Sequence, residues 1–233
     1  MVTTEDGIAA ALHGVGLVLA AVLGAGLRRR SDRVGTRGDE QLVVVAFVAA
    51  WLALYATSVG FHLTPEGPVR SVLSVLDNSA IFVVIAAGWA PIGPFRLEPR
   101  RSRWLLAFLG ATLAAGLAVE PTAVAMGWRD GFERVAYLLY AAQVTAPVVL
   151  LGGTILGRLS RASLAYLLGS IAAYAVGLIF YHRPDLRWGH AIWHGCVVVG
   201  CFINFGGVQR LLFEAGSLRS HRDGAMAGGG AAR

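Results

Sequence analysis

Charge in this chain is confined to short islands, and seven long apolar stretches separate them. Only 15% of the 233 residues are charged, against roughly a quarter in an ordinary globular protein. A soluble fold needs polar residues spread around every element, whereas islands between apolar runs put the runs in lipid and the islands in water. The mean hydropathy of +0.62 agrees, and no polar segment is long enough to fold a soluble domain of its own. At about 1.5 Å rise per residue, each stretch can cross roughly 30 Å of hydrocarbon. The expectation is an all-α integral membrane bundle of seven transmembrane helices near 8–27, 41–62, 71–91, 104–119, 134–156, 164–182 and 189–213. The fourth is the shortest. Residues 1–213 form the membrane domain and 214–233 a tail, Gly/Ala-rich from 225 onward and expected to be disordered. The breaks carry Pro65, Pro68, Pro94, Pro99, Trp128 and Pro184.

The charge itself says which partners to expect. All twenty basic residues are arginine, and the formal net charge is +6. The arginines flank apolar stretches, so anionic lipid headgroups fit them better than nucleic acid does. The first, third and fifth loops and the tail hold fifteen arginines, the opposite side five (Arg70, Arg129, Arg134, Arg183 and Arg187). That bias puts the arginine-rich side in the cytoplasm and the N-terminus outside. Glu5 and Asp6 stand where a signal peptide would be basic, so the first apolar run reads as a membrane span. Cys196 and Cys201 lie five apart on different helix faces and read as packing residues. The six tryptophans mostly sit near span ends, as an interfacial belt does, and Gly14, Gly16, Gly24 and Gly26 read as close helix packing.

Ionisable residues inside membrane spans cost free energy and tend to mark function. His62 ends the second span, Asp77 lies in the first turns of the third, and His190 and His194 open the seventh. In an alternating topology those positions fall on one side of the bilayer at similar depth. His190 and His194 are i and i+4, so their imidazoles share a helix face and can bind one metal ion. Ser58 stands in the same relation to His62. Three neutral imidazoles plus water make the open tetrahedral shell of a catalytic zinc site, and Asp77 could orient that water and take its proton.

Three segments resemble the hemolysin III group, bacterial relatives of the progestin and adiponectin receptors in a superfamily with the alkaline ceramidases. Tyr55-Ala-Thr-Ser-Val-Gly-Phe-His62 is similar to the family's Ser-x-x-x-His. Leu76-Asp-Asn-Ser-Ala-Ile-Phe82 is similar to its Leu-Asp-His-Ser-Ala-Ile-Tyr, and His190-Ala-Ile-Trp-His194 to its His-x-x-x-His. The first span, with Glu5 and His13-Gly-Val-Gly16, and the sixth, 174–181, resemble the family more loosely. The resemblance implies zinc on His62, His190 and His194, with Asp77 and Ser58 around the metal-bound water, and hydrolysis of a lipid amide. The chain departs from the family at Ala9, Asn78, Ala87 and Asn204, none of them an expected ligand. The animal adiponectin receptors have the N-terminus inside, opposite to the arginine bias here.

Each of these residues also has a plainer reading. Buried histidines can bridge helices by hydrogen bonds, Asp77 can be an inter-helix partner, and Ser58 can bond back to the carbonyl of Leu54. His13 reads as a packing histidine, and His182 and His221 carry no assignment. Functionally, the first expectation is a zinc-dependent hydrolase of the bacterial plasma membrane, acting on a lipid amide or ester that enters sideways between helices. The second is a non-enzymatic receptor or membrane-homeostasis protein with structural zinc. A third, direct permeabilisation of membranes, rests on the family's name alone, since no amphipathic pore-forming segment is present.

Overall fold

The first helix begins where the sequence supplies a cap. Thr3 accepts from the backbone N–H of Asp6 and the Asp6 side chain accepts from that of Thr3, a reciprocal capping box, so α1 runs Thr4–Val34 and ends at Gly35, whose φ of 69° suits glycine. The computed structural model describes residues 2–127, 129–183 and 185–229, with backbone alone at 129–134 and 221–229. Trp128, Pro184 and the last part of the expected tail, 230–233, lie outside the described residues.

The remaining helices are α2 (Asp39–Leu63), α3 (Pro68–Trp89), α4 (Ile92–Arg96), α5 (Pro99–Ala125), α6 (Arg129–Arg158), α7 (Arg161–Tyr181) and α8 (Gly189–Gly229). Prolines at the first helical positions of α3 and α5 cost no hydrogen bond there. Among the described residues there is no strand. Among the described residues seven helices are long and apolar enough to cross a membrane, the single turn of α4 continuing the span of α3. Large apolar residues such as Val18, Val22, Leu138 and Val149 are exposed on the outer faces, where lipid replaces water as their solvent.

Two span ends differ from the sequence expectation, for physical reasons. α5 is much longer than the 104–119 stretch because Arg100, Arg101 and Arg103 sit in its first turns, while Glu120 near its end is buried. Asn78 donates to Glu120 at 2.7 Å, which offsets the cost of burying that carboxylate. α8 continues well past Phe213. Its Glu214 pairs with Arg96 and Arg210 and accepts from Ser160 and Ser163, tying α4, α7 and α8 together at the arginine-rich end.

The packing order follows the chain only in part. α1 lies against α2 and α8, α2 against α3, α7 against α8, and α5 joins α3 to α6. Phe47, Trp51 and Tyr55 of α2 pack with Cys201, Phe205 and Leu212 of α8 at the centre of the core, so Cys201 is a packing residue. Gly16 lets α1 close on α2: a Cβ there would lie 2.6 Å from the Tyr55 ring. Among the described residues the backbones of α6 and α7 stay mostly apart, and the two meet through the rings of Tyr137 and of His182 at the end of α7, 5.3 Å between centres.

Candidate metal centre

Four helix ends meet on the arginine-poor side. The last turn of α2 carries His62, 1% exposed, and the first turns of α8 carry His190 and His194. The helical i, i+4 spacing stacks the last two on one face, and their Nε2 atoms stand 2.9 Å apart. The His62 ring lies 4.8 Å from that of His194 and 5.8 Å from that of His190, centre to centre. One potential ligand atom from each of the three lies within 4.8 Å of the others. The structure thus brings together the three histidines the sequence singles out. His62 and His194 are buried, and His190 is exposed and marks the approach, beside Tyr181.

The donor set suits a metal such as zinc. Imidazole nitrogens at about 2.0–2.1 Å in a tetrahedral shell stand roughly 3.3 Å apart, within the spread seen here. The second observation is chemical. His62 Nε2 is fully buried and has no hydrogen-bond partner among the described residues, which is costly for a polar atom unless something else occupies it.

Around these rings stands a set of polar residues, two of which the sequence reading passed over. His62 Nδ1 lies 3.0 Å from Asp6 Oδ1. Arg70 Nη2 donates to the same oxygen at 3.0 Å, while its Nη1 donates to the carbonyls of Phe61 and Thr64 at the end of α2. The Phe61 carbonyl also accepts from the Thr64 N–H at the cap, and a cation is favoured at this end of the helix dipole. His13 is also closer to the chemistry than a packing role suggests: its Nε2 lies 2.5 Å from His194 Nδ1.

Asp77 and Ser58 meet each other rather than the rings. Ser58, buried one turn before His62, interacts with Asp77 across the α2–α3 interface. The contact falls short of a well-formed hydrogen bond, and the buried hydroxyl has no other hydrogen-bond partner among the described residues. On the other side Asp77 is close enough to Tyr140 to act on it electrostatically, as is Tyr181. Two of the positions where the chain departs from the family motifs have partners elsewhere: Asn78 bonds Glu120, and Asn204 lies against Gly88 roughly 15 Å along α8 from His194. Ala9 is buried between Asp6 and His13 on the same face of α1.

An apolar groove of about 990 Å³ between α1, α7 and α8 is lined by Ile8, Leu12, Val176, Ala191, Ile192 and Gly195, among others. At 100° per residue, its α8 lining is mostly turned well away from His190 and His194. It is a lipid-facing surface behind the histidines, not a route to them.

Comparison with known proteins bears on the whole of this arrangement. A family model described as "Haemolysin-III related" matches residues 2–205, which contain every residue of the centre. The chain is 26% identical over 201 residues to the "Hemolysin-3 homolog" of Bacillus subtilis (strain 168), covering 86% of this chain and 91% of that one. It is 26% identical over 193 residues to "Hemolysin-3" of Bacillus cereus, covering 83% and 85%. No solved structure matches. With its seven spanning helices, this is a multi-pass protein of the bacterial plasma membrane, and it belongs to the haemolysin-III-related family.

Proposed function

We propose that this protein is a zinc-dependent hydrolase that cleaves an amide or ester bond in a membrane lipid. The observation that carries the reading is the convergence of three imidazoles from two distant helices, with the buried Nε2 of His62 lacking a hydrogen-bond partner among the described residues. His62, His190 and His194 would hold the ion. When bound, zinc lowers the pKa of a coordinated water to about 7 and polarises a carbonyl oxygen. Asp77 supplies a carboxylate one helix away, close to Ser58 and Tyr140, as the acceptor of a proton at its own oxygen. Ser58 stands beside that carboxylate across the α2–α3 interface.

In this reading the lipid enters sideways between α6 and α7, whose backbones stay mostly apart, and Tyr137, Tyr140 and Tyr181 line the side of the bundle where Asp77 and His190 lie. A lipid whose polar linkage enters there keeps its chains in the bilayer. The test is turnover of ceramide-like amides and of fatty-acyl esters by the purified, zinc-loaded protein. Asp77→Asn is expected to lower turnover by roughly 10²–10⁴-fold, the contribution of a positioned general base, with zinc content unchanged. Undiminished turnover in Asp77→Asn would remove that residue from the chemistry. A wild type that hydrolyses no lipid while holding zinc firmly would favour a structural ion in a receptor-like protein.

A further inference from the structure

Asp6 is held from both sides. Oδ1 faces His62 Nδ1 at 3.0 Å and Arg70 Nη2 at 3.0 Å, and Oδ2 accepts from the Thr3 backbone N–H at 3.2 Å and the Thr3 hydroxyl at 2.8 Å. The guanidinium and the backbone N–H can only donate, so each oxygen carries an obligate donor whatever the tautomer of His62. An ionised carboxylate accepts about four hydrogen bonds and donates none, which leaves Oδ1 room for one more donor. Arg70, paired at the same oxygen with both side chains 14% exposed, keeps the carboxylate charged.

The consequence falls on His62. A neutral imidazole carries one proton, and its two nitrogens differ in role according to where that proton sits. With a lone pair on Nδ1, the ring would face a filled carboxylate oxygen at 3.0 Å, lone pair against lone pair. With the proton on Nδ1, the contact is a charge-assisted hydrogen bond. Nε2, buried and without a hydrogen-bond partner among the described residues, is then the nitrogen that carries the lone pair. We propose that Asp6 is a positioning residue of the metal centre: its carboxylate fixes the tautomer and orientation of His62 so that Nε2 is presented as a ligand. The proposal rests on the metal reading above and assigns the first helix, through Asp6, the part of outer support for a ligand on the second.

Asp6 also closes the capping box of α1, so its removal must be separated from loss of the cap. Three variants do this in the full-length protein in lipid nanodiscs: Asp6→Ala, Asp6→Asn and Thr3→Val, each measured by zinc competition against a chelator. Histidine 15N spectra of the metal-free wild type and Asp6→Ala report where the His62 proton sits. Asp6→Ala is expected to bind zinc 10–100-fold more weakly, the usual loss for a carboxylate behind a ligating histidine. Asp6→Asn, which keeps an acceptor oxygen, should fall between it and the wild type. Thr3→Val should loosen the helix start yet bind zinc nearly as the wild type does. The wild-type spectrum should show His62 protonated at Nδ1, with that preference lost in Asp6→Ala. Equal zinc affinity in wild type and Asp6→Ala, an equal loss in Thr3→Val, or a His62 proton on Nε2 would overturn the proposal. Should Asp6→Ala fail to fold, the wild-type spectrum decides. A wild type that binds no zinc overturns the metal reading itself, and is recognised because no variant can then differ from it.

Discussion

His13 and Asp6 stand seven residues apart, two turns along one face of α1, and each touches a different histidine of the centre. That i, i+7 relation was legible in the sequence, but two other facts hid it. Asp6 lies in the charged start of the chain, where an acidic residue is explained by the helix dipole and by capping. Arg70 lies in a loop island, where arginine is expected next to lipid headgroups. Only the folded arrangement shows that both are spent on His62 and the end of α2. His62, His190 and His194 were readable because helix direction and i, i+4 spacing fix depth and face without any tertiary detail. The His13 contact leads to a prediction. His13→Ala leaves His194 Nδ1 buried without its partner, and is expected to cost about 1–3 kcal/mol of stability, seen as a lower thermal midpoint in detergent. A midpoint equal to the wild type would mean that His194 turns to another partner.

At the scale of helices, the two ends of the bundle should behave independently. Gly16 of α1 faces Tyr55 so closely that any side chain must displace the ring. Gly16→Leu should therefore destabilise the α1–α2 contact by roughly 1–3 kcal/mol, as overpacking does, and weaken zinc binding through the displaced α1. Glu214 serves the opposite end, where it pairs with the nearly buried Arg96. Glu214→Ala leaves that guanidinium without its ion-pair partner, a loss of about 3–5 kcal/mol for a fully buried pair and less here because Glu214 is partly exposed. Zinc content per folded molecule should not change. Thermal unfolding with metal analysis of each folded variant checks both, and a drop in zinc in Glu214→Ala would show that the ends are coupled. Helix limits were the part of the fold least legible in the sequence. Charged Arg100–Arg103 and the buried Glu120 made α5 look short because hydropathy cannot see that a carboxylate has Asn78 for a partner.

For the whole molecule, seven spans and their alternation followed from apolar length alone, and the site's depth followed from the alternation. The wide backbone spacing of α6 and α7 did not, because which consecutive helices pack closely depends on side-chain fit that periodicity does not encode. α7 packs on α8 and α6 on α5 and α3, so the connection between α6 and α7 joins two sub-bundles that meet at the centre. Tethering α6 to α7 near Tyr137 and His182, whose rings lie 5.3 Å apart, with a short bifunctional crosslinker on a cysteine pair should block lipid turnover while zinc stays in place. Turnover that survives the tether would mean that the substrate enters elsewhere.

All of this depends on an ion held jointly by α2 and α8. Metal quantification on the purified, zinc-equilibrated protein, beside His190→Ala, addresses that directly. One zinc per wild-type chain, with most of it lost in a folded His190→Ala, is the expected result. A folded, monodisperse wild type that retains none would reduce the three histidines to hydrogen-bonded packing.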